Sequence, residues 1–182
     1  MGYALAQAAL NLGCSVDLVS GPVGLVPPPE AKFHRFISSE DLYLITDQLF
    51  DRANLFIMTA AVCDQKPSIR ADHKLKKGQL TGTLAVEPTR DVLEALGKKK
   101  RDQILVGFAA ETQHVKSNAL KKMYAKNLDW IVANPVGGEE SAFESNDNRV
   151  TLLGRDGVCV RRGPEPKAQI AAWLMEQFML TL

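Results

Sequence analysis

The segment Ile104–Pro135, ILVGFAAETQHVKSNALKKMYAKNLDWIVANP, holds two apolar runs separated by a polar, lysine-rich run. The first apolar run, Ile104–Ala110, contains no charged residue, and the second, at 129–135, is nearly as apolar. Continuous apolar runs of this length are typical of strands that are buried on both faces of a parallel sheet. The segment therefore predicts a strand–helix–strand unit whose two strands run parallel.

The same alternation of strands and helices extends over all 182 residues. Apolar spacing and Gly or Pro boundaries predict helices near 1–12, 41–52, 89–100, 112–127 and 166–182. Short apolar or β-branched runs predict strands near 15–20, 33–37, 55–60, 80–87, 104–110 and 129–135, followed by a hairpin at 149–163. We expect an α/β fold in one domain over residues 1–182. Its sheet should be Rossmann-like, doubly wound and mostly parallel, and should end in the β-hairpin.

Composition and charge limit the possible partners. Hydrophobic residues make up 46% of the chain, charged residues make up 24%, and the formal net charge is only +1, so a general nucleic-acid-binding role is not expected. The three cysteines are widely spaced and odd in number, which favours reduced thiols in the cytoplasm over disulfides or a zinc site. No apolar run reaches the roughly 18 residues that a membrane span needs.

Small and acidic residues follow the third predicted strand, in the run Thr59–Asp64, TAAVCD. Ligands of open α/β sheets lie beyond the carboxyl ends of the strands, where small residues let a flat ligand approach the backbone. Asp64 would accept a hydrogen bond from a ribose hydroxyl or support a metal ion. The alternative is that the alanines only pack and that Asp64 caps a turn.

Lysines form two groups near this edge. Lys74, Lys76 and Lys77 share a loop, whereas Lys122 and Lys126 are four residues apart and therefore share one helix face. Like charges at this spacing repel each other mildly, and a phosphate held by both lysines would offset that repulsion. The alternative is that these lysines form a solvated helix face.

Other site classes lack their signatures. The three histidines share no metal-ligand spacing, so no metal-binding side chain is assigned. No tyrosine has a lysine four residues later, the pair that a short-chain dehydrogenase needs. An NAD(P)-dependent reductase stays open as an alternative for which no nicotinamide site is identified.

Several motifs together resemble one family. The runs TAAVCDQKP (59–67), KLKK (74–77), GFAAET (107–112), KNLDWIVAN (126–134) and FESNDNRVTLL (143–153) are similar to those of bacterial phosphopantothenate–cysteine ligase, also called phosphopantothenoylcysteine synthetase. In many bacteria this domain is the C-terminal half of a bifunctional protein of coenzyme A biosynthesis. The other half is a flavin-dependent decarboxylase, so FMN is expected only if that half is fused upstream.

The resemblance implies a two-step ligation in the cytoplasm. CTP would activate 4'-phosphopantothenate as an acyl-cytidylate, with release of pyrophosphate. L-cysteine would then attack to give phosphopantothenoylcysteine and CMP. The resemblance also implies Mg²⁺ and a homodimer, and no nucleic acid or membrane. A second hypothesis keeps the same fold in a catalytically inactive fragment that only binds nucleotide or dimerises.

The resemblance also implies a set of site residues. Lys74 would be catalytic, because it lies on a flexible flap that reaches the phosphates. Arg90 stands where the family usually has proline. The implied nucleotide contacts are Met58, Thr59, Ala60, Asp64, Lys74, Arg90, Asp91, Val92, Leu93, Phe108, Lys122 and Lys126.

The front of the family pattern is represented here only by Met1-Gly2. In the family, a strand, a glycine-rich turn and the motif SNxSSGxMG lead into the first helix. We therefore expect the usual first strand and phosphate loop to lie upstream of Met1. A sheet without its central strand exposes two strand edges, so we expect the chain alone to be poorly stable or inactive.

Overall fold

The computed structural model describes residues 1–69, 71–76, 82–111, 115–135 and 147–182. The helices are α1 (Gly2–Asn11), α2 (Ser39–Phe50), α3 (Val92–Lys99), α4 (Val115–Ala125) and α5 (Lys167–Met179). The strands are β1 (Asp17–Ser20), β2 (Lys32–Arg35), β3 (Leu55–Met58), β4 (Gln65–Pro67), β5 (Val86–Pro88), β6 (Ile104–Glu111), β7 (Trp130–Pro135), β8 (Asp147–Gly154) and β9 (Cys159–Pro166).

Within the described part of the chain, the main sheet has five strands in the order β3-β6-β7-β8-β9. Strands β3, β6 and β7 are parallel, whereas β8 and β9 add an antiparallel hairpin at one edge. The predicted α/β class and C-terminal hairpin are therefore confirmed, and the sheet as a whole is mixed. The parallel pair β1–β2 and the antiparallel pair β4–β5 form separate two-stranded sheets. The expected strand before Gly2 stays a prediction.

Helices cover both faces of the main sheet, as a doubly wound fold requires. On one face, Val106 and Val132 pack with residues of α1 and α5. On the other face, Leu105 and Ile131 pack with α2, α3 and α4. Successive strand residues point to opposite faces, so the continuous apolar runs of β6 and β7 supply both cores.

Local signals account for several element boundaries. Ser38 Oγ accepts the backbone N–H of Asp41 at 3.1 Å, and Asp41 Oδ2 accepts the backbone N–H of Ser38 at 2.9 Å. This reciprocal capping box starts α2. The hairpin between β8 and β9 turns at 155–157, where Gly157 has a φ of +95°. Glycine is favoured there because that backbone region is strained for other residues.

Several predicted boundaries differ from the structure by two or three residues or more. The strand predicted at 80–87 is only β5, at Val86–Pro88, and residues 80 and 81 lie outside the described residues. Helix α3 starts at Val92 instead of 89, because Asp91 adopts extended backbone and caps the helix with its side chain. None of the helices in the described ranges has both the length and the apolar character that crossing a membrane demands.

Candidate nucleotide-binding cleft

A cleft of about 360 Å³ opens at the carboxyl end of β3, beside the middle of the parallel strand β6. This is the edge at which open α/β sheets hold their ligands. Its walls come from the end of β3 and the segment after it, the residues before and at the start of α3, the middle of β6 and the residue after α4. The lining residues are Met58, Ala60, Ala61, Val62, Asp64, Thr89, Arg90, Asp91, Val92, Leu93, Phe108 and Lys126.

The cleft brings together nine of the twelve residues assigned to nucleotide binding from the sequence. They are Met58, Ala60, Asp64, Arg90, Asp91, Val92, Leu93, Phe108 and Lys126. The other three, Thr59, Lys74 and Lys122, do not line it. Thr59 lies beside the start of α1, Lys74 is exposed, and Lys122 is exposed one helical turn before Lys126. Lys77 of the loop cluster and Thr112 of the GFAAET motif lie outside the described residues.

Asp91 connects two walls of the cleft. Its Oδ1 accepts the backbone N–H of Glu94 at 3.0 Å, and its Oδ2 lies 2.6 Å from Nζ of Lys126. Burial by itself would raise the pKa of Asp91. The hydrogen bonds from Lys126 and from backbone N–H groups, together with the Lys126 charge, outweigh burial and hold this pKa below its usual value. The carboxylate is therefore ionised at neutral pH and orients the Lys126 ammonium.

Lys126 is held close to α3 by a glycine contact. A Cβ on Gly97 would lie 2.0 Å from the carbonyl oxygen of Lys126, so only glycine permits this approach. The next residue, Asn127, has a φ of +53° and donates its side-chain N–H to the carbonyl of Gly97 at 3.0 Å. Asparagine tolerates this left-handed conformation better than most residues. The Lys–Asn pair after α4 thus packs against the end of α3.

A second glycine brings α3 towards the sheet. A Cβ on Gly107 would lie 2.7 Å from Cδ1 of Leu128 and 3.2 Å from Cδ1 of Leu93. Without a side chain at this position, Leu93 packs closely over β6. Phe108, the residue after Gly107 in β6, is half-buried and lines the same cleft as Leu93.

Sequence reasoning missed three lining residues, Ala61, Val62 and Thr89. Thr89 Oγ1 donates to the carbonyl of Cys63, and the backbone N–H of Thr89 donates to the carbonyl of Asp64 at 2.9 Å. These bonds tie the segment after β3 to the approach to α3 and close one side of the cleft. Position was the available signal, because Ala61 and Val62 lie within the run TAAVCD and Thr89 directly precedes the assigned residues at 90–93.

The charges of the lining suit a ligand that carries both phosphate and polar groups. Lys126 and Arg90 are cationic, and Asp64 and Asp91 are anionic. Among the described residues, no group of three His, Cys, Asp or Glu side chains is arranged to hold a metal ion. Mg²⁺ that arrives with nucleotide phosphates needs only one or two protein carboxylates, a requirement that the exposed Asp64 fits.

The fold and the cleft define an open, doubly wound α/β domain with a ligand site at the carboxyl edge of its parallel strands. The model of the family "DNA/pantothenate metabolism flavoprotein C-terminal domain" matches residues 1–181. The chain therefore belongs to that family.

Relatives and a solved structure agree with this membership. The chain is 47% identical over 158 residues to the Coenzyme A biosynthesis bifunctional protein CoaBC of Bacillus subtilis (strain 168), and the match covers 86% of this chain and 39% of the relative. It is 34% identical over 181 residues to a Cysteine/Cysteine sulfinic acid decarboxylase of an unknown prokaryotic organism, over 98% of this chain and 50% of the relative. The chain thus spans half or less of the length of these curated relatives.

The crystal structure of the C-terminal domain of Coenzyme A biosynthesis bifunctional protein CoaBC is similar in fold, with a TM-score of 0.83 and 34% identity. The match covers 98% of this chain and 80% of that one. The similarity therefore extends over nearly the whole chain, including the elements that form the cleft.

Proposed function

We propose that the chain catalyses the CTP-dependent ligation of 4'-phosphopantothenate and L-cysteine in coenzyme A biosynthesis. The carboxylate of 4'-phosphopantothenate attacks the α-phosphate of CTP, which forms an acyl-cytidylate and releases pyrophosphate. The amine of L-cysteine then attacks the acyl carbon, forms the amide bond and expels CMP. The convergence of nine assigned residues on one cleft carries this proposal, and the relationship to CoaBC supports it.

Residues of the cleft wall act together with Thr59, Lys74 and Lys122, which lie outside the wall, in this proposal. Backbone groups of Met58, Thr59 and Ala60 contact the nucleotide, and Phe108 packs against the base. Lys122 and Lys126 offer positive charge to the phosphates, and Lys74 approaches them from its loop. Cations placed beside the phosphates stabilise the charge that develops on transferring phosphoryl groups.

Asp64 completes the set of polar contacts. It accepts a hydrogen bond from the ribose, or it holds Mg²⁺ together with the phosphates. When bound, Mg²⁺ would neutralise phosphate charge at the reacting phosphorus. Placing the carboxylate and the α-phosphate in contact also removes much of the entropic barrier of a two-substrate reaction.

Pyrophosphate release tests the proposal, and it is measured both for the 182-residue chain and for the chain extended by the strand and glycine-rich turn that the family pattern places before Met1-Gly2. The assay contains CTP, Mg²⁺ and 4'-phosphopantothenate, with and without L-cysteine. We expect pyrophosphate release to require both CTP and 4'-phosphopantothenate. CMP release should require L-cysteine as well. Lys126→Met should lower kcat/KM at least tenfold, because one charged phosphate contact contributes about 1.5–3 kcal/mol. Lys121→Met, on an exposed position of the same helix, is the matched control and should leave the rate unchanged.

Other outcomes separate the alternatives. CTP binding without pyrophosphate release would contradict the ligase proposal and favour a nucleotide-binding fragment. Release of CO₂ from L-cysteine without CTP would instead favour cysteine decarboxylation, the reaction that the name of the decarboxylase relative describes.

The homodimer is part of the same proposal. Apolar side chains are exposed along and beside the β4–β5 pair, including Ile69 at 83% exposure and Leu84 at 64%. Exposed apolar groups of this kind mark association surfaces. We expect light scattering to give twice the chain mass, and Ile69→Ser to weaken the dimer. Leu180→Ser is the control, because Leu180 is similarly exposed but lies after α5, away in sequence from the β4–β5 pair.

A further inference from the structure

Arg90 lies in the wall of the cleft, directly before the Asp91 cap of α3. Its guanidinium carbon lies 4.1 Å from the centre of the Tyr43 ring, and its Nη2 lies 3.9 Å from Oε1 of Glu40. Both partners belong to α2, one turn apart. A guanidinium on an aromatic face is attracted by the negative face of the ring. Two contacts from one helix therefore hold a cation whose side chain is still 49% exposed.

Tyr43 is a firm support for this cation. Its ring is partly buried and packs against the core that α2, α3 and α4 form on the sheet. A planar guanidinium with one face on such a ring keeps its N–H edges available. Those edges match phosphate oxygens in a two-point geometry.

The two cations of the cleft differ in how far their charge is compensated. Lys126 Nζ lies 2.6 Å from the Asp91 carboxylate, whereas Arg90 is 3.9 Å from a carboxylate that is itself half-exposed. Attraction falls with distance and with solvent screening. Within the described lining, Arg90 is therefore the cation whose charge is less neutralised by a neighbouring acid, and it lies beside the positive end of α3.

We propose that Arg90, positioned by Tyr43 and Glu40, binds the triphosphate of the nucleotide alongside Lys126. Arg90 makes the contact, and the two α2 residues act through it. This inference rests on the proposed function, because it takes a nucleoside triphosphate as the ligand.

Calorimetric titration of the full chain with CTP, cytidine and inorganic tripolyphosphate tests the inference. Arg90→Gln should weaken CTP and tripolyphosphate binding about tenfold or more, the effect of losing a charged hydrogen bond, and should leave cytidine binding unchanged. Arg90→Lys should recover part of the loss, because it restores the charge without the planar edge. Tyr43→Leu should weaken CTP binding about two- to fivefold, and Tyr43→Phe should keep it.

Arg155→Gln is the matched control, because Arg155 also lies over a tyrosine ring, that of Tyr124, but outside the cleft. It should bind CTP like the wild type. Unchanged CTP affinity in Arg90→Gln would overturn the inference, and so would an equal loss for CTP and cytidine. If the wild type binds tripolyphosphate through Arg90 but does not bind CTP, the proposed function fails while the phosphate role of Arg90 stands. If the wild type binds neither, both fail.

Discussion

Replacing Gly97 by alanine tests whether the close approach of α3 to Lys126 builds the cleft. An added Cβ would lie 2.0 Å from the Lys126 carbonyl oxygen and 2.9 Å from its carbonyl carbon, whereas real Cβ contacts essentially never fall below 3.0 Å. The two backbone segments must therefore separate by about 1 Å. Overpacking of this kind costs about 1–3 kcal/mol. The better helix propensity of alanine offsets about 1 kcal/mol.

The expected net effect is a loss of up to about 2 kcal/mol in the free energy of unfolding. The same displacement moves Lys126 away from Asp91. In the wild type, the Asp91 carboxylate lies 2.6 Å from the Lys126 ammonium. CTP affinity should therefore fall several-fold even where the variant is fully folded. Urea unfolding measures the change in the free energy of unfolding. Calorimetric titration at a temperature well below the unfolding transition measures the change in CTP affinity.

Gly24→Ala is the control for this experiment. No atom of the described residues lies within 4 Å of a Cβ at Gly24, and its φ is outside the left-handed region. We expect that variant to be at least as stable as the wild type and to bind CTP equally well. If Gly97→Ala matched Gly24→Ala in both stability and CTP affinity, the argument that this contact positions Lys126 would be refuted.

Three further substitutions test the packing and charges around the cleft. Asp91→Asn keeps a capping side chain but removes the ion pair with Lys126. It should cost about 0.5–1 kcal/mol at pH 7, because both side chains are partly exposed to screening solvent. The pKa of Asp91 is lowered by folding, so this contribution is present above its ordinary value of 3.8 and is lost as the pH falls below it; urea unfolding at pH 7 and pH 3 should show the difference shrink. Lys99→Met removes the 2.8 Å bond to Asp47 and should cost about 0.5–1 kcal/mol at neutral pH. Burial would lower the pKa of Lys99, but its bonds to neighbouring carboxylates outweigh burial and raise this pKa, so in thermal unfolding the difference should persist from neutral pH up to pH 10.5 and disappear as the pH rises through the higher folded value. Gly107→Ala places a Cβ 2.7 Å from a methyl of Leu128 and 3.2 Å from a methyl of Leu93, which are side-chain ends that can shift, so it should lower the free energy of unfolding by only about 1 kcal/mol; a larger loss in urea unfolding than that of Gly97→Ala would contradict the packing argument.

Much of the fold was predictable because its signals are local. The apolar runs of β6 and β7, the Ser38 cap and the turn at Gly157 each depend on residues close together in sequence. Strand β4, at Gln65–Pro67, was missed because it has neither apolar alternation nor β-branched residues. It exists through pairing with β5, about twenty residues later. Strand order and the mixed character of the sheet depend on such pairings, which periodicity does not report.

The cleft was predictable to a similar degree and for a related reason. Residues at strand ends can be assigned from sequence because the carboxyl edge of a parallel sheet is the general ligand position. The partners of those residues cannot be assigned this way. Asp91 meets Lys126, and Arg90 meets Tyr43, only after three helices have packed on one sheet face. Lys74 stays a prediction as a catalytic residue, since its part in the reaction depends on a loop that must approach the phosphates.

The contacts that assemble the cleft are mostly backbone contacts, and this has a consequence for function. The carbonyl of Asp64 accepts a hydrogen bond from the backbone N–H of Thr89, and the carbonyl of Lys126 lies close to the Cα of Gly97. The main-chain positions that carry an acidic group and a cationic group are thus set before any ligand binds. Preorganised charges need no rearrangement when phosphate charge shifts during a reaction, so each contributes more to the transition state than a mobile side chain would. Changes in side chains that do not line the cleft should therefore affect ligand binding less than changes in the glycines that bring its walls together.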